Sequence, residues 1–91
     1  MQSCDPRLFA KALAALQKAR YEEAERDFKK VLRAEPRHFG ALNLYAVLLM
    51  QTGRFAEAEP LLRKASTVDP TSDATFYNLG LTLKHLKRPA D

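Results

Sequence analysis

Few residues in this chain are of types that do chemistry, and their spacing decides what they could do. His38 and His85 are the two histidines, and Cys4 is the lone cysteine. Such residues could bind zinc or form an activated thiol. A structural zinc site needs four ligands, with pairs only a few positions apart, and neither histidine has a cysteine or histidine at that spacing. Cys4 has no partner that would activate its thiol, which takes a neighbouring base or cation. Glu22, Glu23 and Glu25 are crowded acids, but at the start of a helix they offset its dipole and do not form a catalytic pair. Gly53 stands alone, so no glycine-rich phosphate loop exists. His38, close after Pro36, reads as a surface turn residue. The chain is expected to be non-enzymatic, with no catalytic residues, no metal and no cofactor.

The remaining chemistry is that of charge and surface. The formal net charge is +4, yet acids and bases are interleaved. Glu22 with Arg26, Glu25 with Lys29 and Glu59 with Arg63 each stand four residues apart, a helical pairing distance. The visible basic excess is Lys84, His85, Lys87 and Arg88 at the end. That cluster suits a solvated last helical turn better than an anion site. A nucleic-acid binder needs a clustered basic stripe, so this reading ranks last. The first residues carry no basic-then-apolar leader. The apolar run from Ala41 to Met50 is too short to span a bilayer and is interrupted by Asn43 and Tyr45. With one cysteine and no membrane segment, a cytoplasmic location is expected.

The elements that position these residues read as helices. Leu and Ala dominate the apolar content, and the chain has only three glycines. Asp5-Pro6 starts a first helix, and Leu8, Phe9, Ala12, Leu13, Ala15, Leu16 and Ala19 then recur at three- and four-residue steps. Further helices are expected over 21–34, 38–51, 55–67 and 73–86, with Thr71 or Ser72 capping the last. Pro36, Gly53 and Pro70 are the stops between them. Pro60 falls inside the fourth helix, where it removes a hydrogen bond and should bend the axis, at a cost of about 3 kcal/mol.

A fixed period organises the helices. Pro36 and Pro70 are thirty-four residues apart, and the same shift pairs Leu8 with Leu42, Ala12 with Ala46 and Arg20 with Arg54. It also pairs Tyr21 with Phe55, Ala24 with Ala58 and Phe28 with Leu62, while Phe76, Gly80 and Leu83 continue the register. Such a period marks stacked repeats. Phe76, Leu79-Gly80 and Leu83, followed by the earlier Gly53, Phe55, Ala58, Leu62, Ala65 and Pro70 as the second half of the pattern, resemble the tetratricopeptide repeat family. The first unit departs from the pattern at Lys11 and Ala15. Independently of the resemblance, small residues at Ala12, Ala46, Gly80, Ala24 and Ala58 let paired helices approach closely.

The resemblance implies an all-α fold: a right-handed α-solenoid of antiparallel helix pairs, with five helices and about two and a half repeats. The units are 5–38, 39–72 and a partial third, 73–91, whose second helix is missing. Lys87-Arg88-Pro89-Ala90-Asp91 reads as the start of that helix, cut short. Two explanations are open: a fragment of a longer protein, which is preferred, or a short protein that self-associates. Either way, Leu79, Leu83 and Leu86 lack a cover and are expected to act as a self-association face.

The resemblance also implies a concave groove that holds a protein or peptide partner. Its positions here are Phe9, Leu13 and Leu16, then Asn43, Val47 and Met50, then Tyr77, Leu81 and Lys84. Each triplet has the spacing of one helix face. Some relatives clamp a peptide's terminal carboxylate with basic and amide groups, but Phe9, Leu13 and Ala74 occupy those places here. An apolar or amphipathic peptide is expected instead, with Asn43 bonding its backbone. Around His38-Phe39-Gly40-Ala41-Leu42 and Gln51-Thr52-Gly53-Arg54 the chain is also similar to repeat arms of bacterial glycosyltransferases of the protein O-GlcNAc type. On that alternative it would be a non-catalytic arm, the transfer chemistry belonging to another domain.

Overall fold

Residues 6–87 are described in the computed structural model of the protein. Five helices follow in order: α1 (Pro6–Gln17), α2 (Tyr21–Ala34), α3 (Phe39–Gln51), α4 (Phe55–Val68) and α5 (Asp73–His85). Among the described residues there is no strand. Each helix packs on the next one in sequence, and α3 also touches α1 and α5. Contacts therefore run only to near neighbours along the chain, and the molecule is elongated, 41 × 26 × 18 Å. Asp5 and Cys4 lie outside the described residues; of the expected start of the third unit's second helix, Lys87 is a left-handed turn residue and Arg88-Pro89-Ala90-Asp91 lie outside the described residues.

Small side chains at the crossing points hold the stack together. Ala12 and Ala24, and one repeat later Ala46 and Ala58, are all fully buried. Phe28 and Leu62 fill the space beside them, and Val31 and Ala65 complete the same stripes one turn on. The helix α3 sits between its neighbours and buries Ala41, Leu42, Tyr45, Ala46, Leu48 and Leu49. This explains a sequence that is apolar on nearly every side of that helix.

The turns repeat as faithfully as the core. Ala19, Gly53 and Lys87 stand at thirty-four-residue intervals, and all three have positive φ: 58°, 79° and 58°. Their amides donate to Leu16, Met50 and Lys84 carbonyls at 3.0, 3.1 and 3.0 Å. The next amides, of Arg20 and Arg54, reach back to Ala15 and Leu49 at 2.8 and 2.7 Å, the wrap-around bonding of a left-handed helix end. At the other end of each unit His38 and Ser72 cap α3 and α5. The ring nitrogen of His38 accepts from the Ala41 amide at 3.1 Å, and the Ser72 hydroxyl accepts from the Thr75 amide at 3.3 Å.

His38 is therefore a helix cap and not a free turn residue. It precedes α3 instead of opening it, and its ring packs on Phe9 at 4.6 Å between centroids. The helix α4 runs one residue beyond the expected end and stays helical through Pro60. Pro60 itself is exposed, while Ala58, Leu62 and Ala65 on either side of it are fully buried. Burial of that stripe holds the helix together across the missing amide. At its far end α5 stops at His85, one residue short of the expected boundary.

Candidate peptide-binding groove

Three of the nine expected groove positions meet between α3 and α5. Val47 and Met50 on α3, and Leu81 on α5, line a cavity of about 240 Å3. Gln51, Phe55, Asn78 and His85 complete its walls. The walls are apolar apart from two amides and one imidazole. Phe55, first residue of α4, stacks face to face on His85 at 4.2 Å with an interplanar angle of 4°. Both rings of this stack line the cavity.

Those four lining residues were not among the groove positions read from the sequence. Gln51 follows Val47 by four residues and His85 follows Leu81 by four, so helical spacing contained the signal. The triplets ended one residue early, at Met50 and Lys84. Phe55 belongs to the second helix of its repeat, and only the fold brings it to this face.

The first unit contributes differently. Phe9 packs on Phe28 at 6.3 Å and on His38, and together with Leu16 it lies against the buried core. A Cβ at Gly40 would come within 2.8 Å of the Phe9 ring. Gly40 is thus the residue that makes room for Phe9. This ring occupies the space over Gly40, and the cavity lies farther on, lined from α3, α4 and α5. Leu13 is half-buried, and neither it nor the two residues flanking it in the triplet lines the cavity.

Asn43 sits beyond the cavity and works between repeats. Its side-chain carbonyl accepts from the Thr75 hydroxyl at 2.9 Å, and its amide donates to the Phe39 carbonyl at 3.4 Å. Thr75 is fully buried, so this bond satisfies a hydroxyl that would otherwise be costly to bury. Tyr77 is 68% exposed on α5, and Lys84 is exposed near its end. Neither lines the cavity.

A second link ties the repeats together on the other side. Glu25 on α2 accepts both arms of the Arg54 guanidinium at 2.9 Å, and the Tyr45 hydroxyl at 2.7 Å. Arg54 also binds Glu57 at 2.8 and 2.9 Å, and Lys29 stands 3.7 Å from Glu25. The forked Arg54 contact, aided by Tyr45 and Lys29, lowers the Glu25 pKa to about 2 against the opposing effect of burial. Burial raises the pKa of the Tyr45 hydroxyl, as does its bond to Glu25. The Glu25–Lys29 and Glu59–Arg63 pairs stand as helical spacing implies, the latter at 2.8 Å. The Arg54 link crosses twenty-nine residues of sequence and has no local signal.

Among the described residues, no three His, Cys, Asp or Glu side chains gather in a metal-holding group. No helix among them is long and apolar enough to cross a membrane. The arrangement offers an apolar cavity with an amide rim, which is suited to recognition.

Comparison with known proteins agrees with this architecture. A family model described as tetratricopeptide repeat matches residues 9–74. The type IV pilus assembly protein PilF of Pseudomonas aeruginosa is 35% identical over 69 residues, covering 74% of this chain and 27% of that protein. The human tetratricopeptide repeat protein 7B is 33% identical over 63 residues, covering 69% of this chain and 8% of its own length. The chain thus spans a minor part of each of these relatives. With the paired helices, the thirty-four-residue turns and the alanine crossings in register with that match, the chain belongs to the tetratricopeptide repeat family.

Proposed function

We propose that this chain is a protein-interaction module that holds an apolar or amphipathic peptide in the groove between α3 and α5. Repeats of this family are generally protein-interaction modules, and the cavity walled by Val47, Met50, Leu81 and the Phe55–His85 stack is the observation that carries the narrower reading. At about 240 Å3 it accommodates an apolar anchor side chain. Gln51 and Asn78 stand in its wall, where their amides can bond a peptide backbone. Met50 can adjust its thioether to different anchors. Asn43, held in place by Thr75, has a further amide hydrogen to offer along the same face. Tyr77 and Lys84 are exposed on α5 and can add contacts outside the cavity, while Phe9, Leu13 and Leu16 of the first unit do not line it.

The experiment uses twelve-residue peptides selected from a random displayed library against the 91-residue chain. Selected peptides should carry an apolar anchor. Val47→Arg combined with Leu81→Arg should weaken them at least about tenfold, equivalent to about 1.4 kcal/mol. Helical content should be kept, because both side chains are only half-buried. Asn43→Ala with Tyr77→Ala should weaken binding more modestly. Peptides that bind both double variants as tightly as the parent would show that this groove is not the binding surface.

A further inference from the structure

The charge around the groove is one-sided. The helix α3 carries no charged side chain from Phe39 to Gln51. On α5 the titratable acid and bases are Asp73 at its start and Lys84 and His85 at its end. Asp73 precedes the cavity residue Leu81 by eight positions, about 12 Å along the helix. Lys84 is only three positions from Leu81, and His85 lines the cavity itself. Lys87, in the turn that follows, is exposed as Lys84 is. The acid nearest Phe55 on α4 is Glu57, and Arg54 holds it at 2.8 Å.

Among the described residues neither Lys84 nor Lys87 has a carboxylate partner, unlike Arg54 and Arg63. The imidazole of His85 stacks its face on Phe55 at 4.2 Å, which leaves the nitrogens at the ring edge for a hydrogen bond. The negative end of the α5 dipole offsets about half a charge, less than one lysine carries. The cavity thus has apolar walls and a cationic margin where α5 ends.

We infer that the groove selects a peptide in which an acidic residue neighbours the apolar anchor. The anchor enters the cavity, and the carboxylate meets Lys84 and the edge of His85. This rests on the groove proposed above and names the chemistry of its partner. A basic residue at that place in the peptide would set like charges together, and an uncharged one would leave Lys84 unpaired. Gln51 and Asn78 are neutral, so the basic end of α5 is what discriminates by charge. The expected self-association residues Leu79, Leu83 and Leu86 are half-buried and line no part of this cavity.

Twelve-residue peptides selected from the random displayed library against the 91-residue chain test this. Within about four residues of the apolar anchor they should be richer in Asp and Glu, and poorer in Lys and Arg, than the unselected library. Replacing those acids by Gln in a selected peptide should weaken it about threefold or more. Raising the salt from about 50 to about 500 mM should narrow that difference. Lys84→Glu, at an exposed position, should weaken the acidic peptide about fivefold or more, and exchanging the peptide's acids for Lys should restore binding to that variant. Val47→Gln with Leu81→Gln removes apolar wall without adding charge and should weaken every selected peptide. Peptides weakened by that double variant but indifferent to Lys84→Glu, or carrying no excess of acids, would overturn the acidic preference and leave the groove standing. Peptides indifferent to the double variant would overturn the groove itself, and this inference with it.

Discussion

At the scale of single residues, the left-handed turn positions show how a repeat can hide part of its pattern. Ala19, Gly53 and Lys87 share one backbone conformation, but only Gly53 reaches it without a Cβ. The sequence therefore announces the turn at Gly53 and conceals it at Ala19. Left-handed φ costs an alanine about 1 kcal/mol. Ala19→Gly should raise the stability by about 0.5–1 kcal/mol in urea unfolding, and Gly53→Ala should lower it by a similar amount. Glu25 supplies a pH dependence. Its pKa is lowered from 4.5 to about 2 by the Arg54 fork first, so its pairing stabilises the fold fully above about pH 4.5. That stability is lost as the pH falls through 4.5 toward 2 and the carboxylate takes up its proton. After allowance for solvent screening the loss is about 1–2 kcal/mol. Urea midpoints measured across this window should fall with acidification, and Glu25→Gln should flatten the fall.

At the scale of elements, the helix bounds were legible because punctuation and packing agree. Pro36, Gly53 and Pro70 stop helices where the buried stripes end. The His38 cap was not legible, since an imidazole caps a helix only once the fold has seated it against Phe9. Pro60 shows local chemistry yielding to tertiary packing: Ala58 and Leu62 stay buried and α4 continues. The lost hydrogen bond still has its cost, so Pro60→Ala should stabilise the domain by about 1–3 kcal/mol in thermal or urea unfolding. The crossing points give the sharpest contrast. Ala46→Leu must force a larger side chain into a sealed contact and should cost about 1–3 kcal/mol or more. The same change of size at Gly80 meets open space and should leave the melting temperature of the free chain unchanged or higher.

At the scale of the whole molecule, each of the first two repeats packs its second helix on its first, and the proposed function assigns the remaining side to a partner. The nine groove positions separate by location. Val47, Met50 and Leu81 meet at the cavity, Phe9 and Leu16 turn to the core, and Asn43 joins two repeats. Periodicity placed all of them on helices, but it could not show that the Phe9 ring fills the space over Gly40. Nor could it bring Phe55 from α4 onto His85. The proposed function thus rests on an apolar opening between α3 and α5. Its most direct test is an amide-resolved NMR titration of the dilute chain with a library-selected peptide. We predict that the largest shifts fall on Val47, Met50, Gln51, Asn78, Leu81 and His85, with little change along the outer face of α2. Shifts centred on α2, or on the Phe76–Gly80 side of α5 with the cavity residues silent, would contradict the assignment of the groove.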